Sequence, residues 1–516
     1  PDHLLGDTEA LGITLALIPT GTPGVEIGRR HLPLGLAFQN GPNRGTEVFI
    51  PMDWVIGGQP RIGQGWRMLM ECLAAGRSIS LPALSTGSGK LASYTAGTYA
   101  AVRKQFKVPI GQFEGIQEAL ARIAANTYLM DAARGLTAAA VDSGEHPSVA
   151  SAIVKYHLTE RMRSCIDDAM DIHGGRGICM GPRNYLGRIY QAIPISITVE
   201  GANILTRNLI IFGQGAVRCH PFLRAEIDAA ARGDLVAFDT AMLQHLGLTL
   251  SNGVRAVFHG LTGSLFARSP GGRCGRYFRD FSRMSAAFAV TAEVALLLLG
   301  GNLKRREAIS ARLGDVLSYL YLGSAVLKRF HEDGYPAEDW PLVQWNCEQL
   351  RYDMQRQLMA VCDNLPMRPL ALLLRHLLFP WGASLVPPRD RLTHRVATRI
   401  QQAGASRDRL LQGLYRPRAE HEPLAQLERA LRDATAAEPA LKKIRIAMRK
   451  GDLAGGDPEL RVGEALAAGI IDDGDAEHIR AAMESRYRAI QVDDFPATEL
   501  TREQAPWPHP AHERSM

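Results

Sequence analysis

Between residues 61 and 215 the chain keeps helical spacing through four successive segments with short connections, and this constrains its fold most. GWRMLMECLAAGRSISLPALSTGSGKLASYTAGTYAAVRKQF is rich in small residues and helix formers, and it carries one long helix despite Pro82. GQFEGIQEALARIAANTYLMDAARGLTAAAVDSG sets Ile116, Leu120, Ile123 and Tyr128 near helical spacing. SVASAIVKYHLTERMRSCIDDAMDIHGG ends in a glycine pair, a fitting helix stop. NILTRNLIIFGQG gives a fourth helix. Four long helices joined this way predict an antiparallel bundle.

The flanks read differently. Residues 1–60 carry strand and turn signals: ITLALIP (13–19) as a buried apolar strand, TPGVEIG with turn punctuation, and TEVFIPMDWVIGG alternating into glycines. They predict the end of a β-domain. Residues 222–400 are again mostly helical, with breaks at 267–283 and 374–391. Residues 401–515 are more charged, and PWPHP near the end reads as an extended tail. The expected class is mainly α. The expected parts are the end of a β-domain (1–60), a four-helix bundle (61–221), a second helical domain (222–400) and a charged helical extension (401–516). GGNLKRREAISARLGDVLSYLYLGSA weakly echoes the helical pattern of 103–130, as a degenerate second bundle or by chance.

Composition bounds the function. At 516 residues, 46% hydrophobic and 22% charged, the chain is too ordered in pattern to be disordered and too long for one small core. The net charge of +6 comes from nine Lys and fifty Arg against 53 acids, spread along the chain, so a dedicated nucleic-acid face is not expected. Seven scattered cysteines, with no CxxC and no Cys/His metal spacing, point to reduced thiols and no metal. Asp2 and His3 follow Pro1 with no apolar signal run, and a start at Pro suggests a truncated chain. The best apolar run, 286–301, is shorter than the ~20 residues of a spanning helix and reads as a buried helix.

Three segments carry candidate chemistry. In PISITVEGANILTRNLIIFGQG, Glu200 follows a mostly apolar stretch and precedes Gly201 and a helix start. Partial burial strengthens a carboxylate as a base, and free N–H groups at a helix start polarise a carbonyl. That is the equipment for removing a proton alpha to a carbonyl; the plainer alternative is an acid favoured by the helix dipole. DIHGGRGI offers paired glycines that let another group approach the backbone, or simply a helix cap. VRKQFKVPIGQFEGIQ places a basic pair, an aromatic and a Pro-Ile-Gly turn before a helix, with Arg103 able to grip a phosphate or to lie in a solvated loop.

In this order the three segments resemble the C-terminal half of the acyl-CoA dehydrogenase family. RKQFKVPIGQFEGIQEALARIAAN, SAIVKYHLTERMRSCIDDAMDIHGGRGI, ITVEGANILTRNLIIFGQGAVRCHP and LKRREAISARLGDVLSYLYLGSAVLKRF are closer still to its long bacterial members that act in fatty acid β-oxidation. The resemblance covers nearly the whole chain; the family's N-terminal helical domain and first β-domain strands are not matched. It implies FAD as cofactor, fatty acyl-CoA of medium or long chain as substrate, trans-2-enoyl-CoA as product, a homodimer or larger, and electron transfer to an electron-transfer flavoprotein. It implies Glu200 as catalytic base. Its backbone N–H would help hold the thioester oxygen, with Gly201 and Arg77 beside the acyl-CoA. It implies Arg103, Gln105, Phe106, Asp171, Gly174, Gly175 and Gly177 as FAD contacts. Lys107, Asp171 and Ala202 depart from the usual Gly, Gln and Thr. Gly76 stands where some members carry the base, which leaves Glu200.

Arg268, Arg273, Arg276, Arg279 and Arg283, set among Tyr277, Phe278 and Phe281 next to the apolar 286–299, suggest a peripheral membrane contact, with LLRHLLFPWG (373–382) as a second candidate. An exposed loop between packed helices is the plainer reading. The expected location is cytoplasmic, at the inner face of a bacterial inner membrane. The alternatives to a dehydrogenase are an acyl-CoA oxidase, a helical scaffold without flavin, and a nucleic-acid-associated member of the family.

Overall fold

The computed structural model describes residues 11–36, 40–215 and 220–500. Cys219 and the PWPHP tail lie outside the described residues. Two compact units interleave along the chain: the first comprises 1–94, 117–167 and 189–414, the second 95–116, 168–188 and 415–516.

In the first unit, β1 (Val25–Ile27) pairs antiparallel with β2 (Asn43–Gly45), Val25 opposite Gly45. The expected buried strand at 13–19 is not formed. Ile13 and Ala16 make only isolated bridges, to Gln64 and Val55, and Ile13, Leu17 and Ile18 are exposed. An apolar run becomes a buried strand only when a layer covers its side chains, and none does so among the described residues.

Helix α1 (Gly65–Val102) runs unbroken through Pro82. Small residues set its packing against α2 (Glu114–Asp142): a Cβ on Gly89 would lie 2.4 Å from Met130 Cε, and Ser93 hydrogen-bonds Thr127. Helix α2 buries residues on nearly every side, from Leu120 to Ala133, as a central helix does. Its one buried carboxylate, Asp131, meets Lys90 of α1 at 3.0 Å, Arg134 at 2.8 Å and an arginine of a later helix, Arg329, at 2.9 Å. Helix α3 (Ser148–His173) stops at Gly174, whose φ is +54°. After α4 (Gly175–Ile178) and α5 (Gly187–Thr198), the expected fourth helix begins as α6 (Asn203–Leu205) and continues as a π-helix, Thr206–Gln214.

Of these, α4 and the C-terminal ends of α1 and α3 belong to the second unit; the first unit also holds α7 (Leu223–Arg232), α8 (Leu235–Leu261), α9 (Gly275–Leu299), α10 (Glu307–Glu332), α11 (Trp340–Asn364) and α12 (Arg368–Leu378). Asn346 of α11 donates to Ala125 O of α2, and Arg207 forks onto Asp315 of α10. The aromatic–arginine segment divides between surface and core, with Arg268, Arg273 and Arg276 exposed. Tyr277, Phe281 and Arg283 are buried; a Cβ on Gly323 would lie 2.4 Å from Phe281. Helix α9 is long and apolar enough to cross a membrane by length and composition, yet its alanines pack inward. The larger exposed apolar stripe lies on α8, through Leu243, Leu246, Leu250 and Val254.

Glu226 of α7, His245 of α8 and Glu293 of α9 form a relay with His220. His245 meets Glu226 at 2.8 Å through Nδ1 and Glu293 at 3.0 Å through Nε2. His220 Nδ1 accepts the N–H groups of Phe222 and Leu223, which leaves the proton on Nε2, 2.8 Å from Glu293. With the proton there, the group forms a hydrogen-bonded relay. Burial opposes charge on His245, but hydrogen bonds to Glu293 and Glu226 outweigh it and raise its pKa. A raised folded pKa stabilises fully below the ordinary value of ~6.5, and that stability is lost as pH rises through the folded value. Thermal melting of His245→Gln should lose this alkaline slope; a slope equal to wild type contradicts the relay.

In the second unit, α15 (Pro423–Lys450) and α17 (Asp473–Ala489), separated by α16 (Val462–Ala467), share a core of Ala440, Ile444, Ala476 and Ile479; α13 (Asp390–Gln401) and α14 (Ala405–Leu410) belong to the first unit. Glu459 takes Lys104 and Arg486, each at 2.6 Å.

Candidate active site

Glu200 sits in the tight turn between α5 and α6. Its φ of +55° and that of Gly201, +95°, reverse the chain in three residues, and only the glycine takes such a φ without strain. The Glu200 side chain is half-buried, and its Oε2 is buried with no hydrogen-bond partner. Among the described residues its backbone N–H also has no acceptor. Arg77 of α1 packs on the turn: its Nη2 lies 3.7 Å from where a Gly201 Cβ would be, and its buried Nε is unpaired. Burial lowers the Arg77 pKa, and Glu200 acts against that. Thus the structure brings Glu200, Gly201 and Arg77 together around unpaired polar atoms.

Two residues escaped the reading of the sequence. Lys155 of α3 donates to Gly201 O at 2.6 Å, to Asn203 Oδ1 at 2.7 Å and to Ile197 O at 3.2 Å. Asn203 in turn donates to Thr159 and Glu160. The available signal was a lysine set among Ala152, Ile153, Val154 and Leu158, all buried.

The remaining candidates lie in the second unit. Arg103 is half-buried and anchors a hairpin, β3 (Lys104–Gln105) with β4 (Val108–Pro109), through Ile110 N–H to its carbonyl. The hairpin turn falls at Phe106 and Lys107, φ +50° and +71°, and the expected Pro-Ile-Gly turn follows it as a single 3-10 turn, Ile110–Gln112, before α2. Two positive φ values mark a two-residue hairpin turn that glycine or asparagine normally fills. Phe106 stands 88% exposed at its tip, edge-on to Phe113. Lys107→Gly should therefore raise stability by about 0.5–1 kcal/mol, since strain relief exceeds the added freedom of the unfolded chain. Chemical denaturation checks this; an unchanged or lowered midpoint contradicts it.

Gly174 and Gly175 present bare backbone to open space, Gly177 packs on Met170, and Asp171 and Gln105 are exposed. Behind the glycines, His173 bonds Ala169 O and Tyr185 Oη and stacks on Tyr99. Burial pushes its pKa down to about 3, so it is neutral and holds the turn as a fixed structural piece.

Residues 217–495 match the family described as acyl-CoA dehydrogenase, C-terminal, bacterial type, and residues 63–213 match the acyl-CoA dehydrogenase C-terminal domain. The chain is 60% identical over 97 residues to Protein HemX of Proteus mirabilis, covering 19% of this chain and 57% of that protein. It is 31% identical over 228 residues to the probable acyl-CoA dehydrogenase FadE10 of Mycobacterium tuberculosis, covering 43% and 34%. An acyl-CoA dehydrogenase from Bacillus anthracis, solved with FAD, shares the fold at TM-score 0.58 and 18% identity, covering 76% of this chain and 65% of that one. The chain thus spans between a third and three-fifths of the length of these two curated relatives. With more than half of its residues under the bacterial-type match, the chain belongs to the acyl-CoA dehydrogenase family.

Proposed function

We propose that this chain carries the catalytic base and part of the flavin site of an FAD-dependent acyl-CoA dehydrogenase acting on medium- or long-chain fatty acyl-CoA. The observation that carries the reading is the Glu200 turn: a buried carboxylate oxygen without a partner, a free backbone N–H, and Arg77 beside them. A carboxylate whose oxygen is unpaired is open to accept a proton. The Glu200 N–H is open to donate to a thioester oxygen, which stabilises the charge that builds there when the alpha proton leaves. The family's cofactor fits the second unit's residues. Arg103 supplies a cation, Phe106 an exposed ring, and Gly174 and Gly175 a backbone that a bulky group can approach. FAD, when bound, supplies the acceptor for the hydride from the beta carbon, giving trans-2-enoyl-CoA.

The reading extends to a homodimer or larger, to electron delivery to an electron-transfer flavoprotein, and to a cytoplasmic protein resting on the inner membrane. The α8 stripe supports the last part, with Arg255 exposed beside it. Co-sedimentation with anionic vesicles tests it, and recovery wholly in the supernatant contradicts it. For the reaction, the full-length protein is incubated with palmitoyl-CoA and an artificial electron acceptor. Enoyl-CoA that forms only with the acceptor supports a dehydrogenase, product with oxygen alone makes it an oxidase, and no product overturns the reading.

A further inference from the structure

Lys155 lies in the middle of α3 with none of its side chain exposed. Burying an ammonium is costly unless its donors are met. Its three donors meet three oxygens, and all three belong to one short stretch: Ile197 in the last turn of α5, Gly201 after Glu200, and Asn203 at the start of α6. No carboxylate bonds its Nζ among the described residues. Asn203 cannot turn away, because its amide donates to Thr159 at 3.0 Å and Glu160 at 2.8 Å. Glu200 in between holds a positive φ, which persists only where the surroundings over-determine it.

We propose that Lys155 is a positioning residue: by clamping 197–203 from both sides of Glu200 it fixes the strained turn that aims the carboxylate and leaves its N–H free. This rests on Glu200 being the base. The charged groups that act on the ammonium are Arg77 from α1, Glu200 from the turn and Glu160 from its own helix. Burial, then Arg77, lowers Lys155 to about 8, against Glu200 and Glu160. Deprotonation removes one of the three donors, so the clamp loosens on the alkaline side.

The test uses the full-length, FAD-loaded protein mixed anaerobically with palmitoyl-CoA, and compares wild type, Lys155→Met, Asn203→Ala and Glu200→Gln. Lys155→Met should slow flavin reduction about 100-fold with the apparent Kd for palmitoyl-CoA within about twofold, since aim and not binding is lost. Its residual rate should lose the wild-type fall above pH 8, and the Val199 and Thr206 amides, which flank the turn and donate to the Ile195 and Ala202 carbonyls, should exchange faster with deuterium. If Lys155→Met does not fold, Asn203→Ala, which removes one acceptor, should slow reduction about tenfold with the same faster exchange. Wild-type rates and exchange in the folded Lys155 variant, or in Asn203→Ala where Lys155→Met does not fold, overturn the positioning role, even if Glu200→Gln is inert. A fully active Glu200→Gln overturns the base assignment instead, whatever Lys155 does.

Discussion

Glu200→Gln should lower the rate of enoyl-CoA formation by about 10³–10⁴-fold while the protein keeps its fold and its FAD. The amide matches the carboxylate in size and keeps the backbone turn, so Arg77, Gly201 and Lys155 retain their places. What it loses is the lone pair with enough basicity to take a proton. Arg77 cannot replace it, because a guanidinium stays protonated. Lys155 cannot either: its three donors are engaged away from the Glu200 carboxylate. Initial rates with palmitoyl-CoA and an artificial acceptor check this. A loss below about tenfold would place the base elsewhere.

The second large effect concerns stability. Asp131→Ala should cost about 1.5–3 kcal/mol, because it removes a buried carboxylate shared by Lys90, Arg134 and Arg329, although Lys90 keeps Gln412 O and Arg329 keeps Asp333. The carboxylate is only 9% exposed, and it joins α1, α2 and α10 at one point. Burial works to raise its pKa, but Arg329, Lys90 and Arg134 together outweigh that and lower it. A lowered folded pKa contributes stability above the ordinary ~3.9, and this is lost as pH falls through the folded value. Acid melting should therefore be shallower in the variant than in wild type. Chemical denaturation at neutral pH checks the magnitude, and a midpoint equal to wild type contradicts the hub.

The long helices were legible because their signals are local. Small residues and helix formers carried α1 across Pro82, and paired glycines ended α3. ITLALIP misled because its continuous apolar run implies a covering layer that the sequence segment itself does not contain. The π register of Thr206–Gln214 leaves no compositional trace. The Pro-Ile-Gly turn was legible, but the hairpin tip before it was not, because Phe106-Lys107 has neither glycine nor asparagine. In the aromatic–arginine segment Arg268, Arg273 and Arg276 are exposed as expected, but one-dimensional spacing cannot show that Tyr277 and Phe281 face other helices. Glu200, Gly201 and Arg77 were legible as a group only through the family pattern. Lys155 was not, because two of its three partners are main-chain oxygens more than forty residues on, and carbonyl acceptors carry no side-chain signature.

The proposed role of the unpaired Glu200 carboxylate is to start an alpha–beta dehydrogenation of acyl-CoA. It is tested most directly by anaerobic mixing of palmitoyl-CoA with the full-length flavoprotein, following flavin absorbance in wild type and Glu200→Gln. The account predicts rapid bleaching in wild type and a flavin that stays oxidised on the same timescale in the variant. Equal bleaching in both, or none in a flavin-loaded wild type, would contradict it.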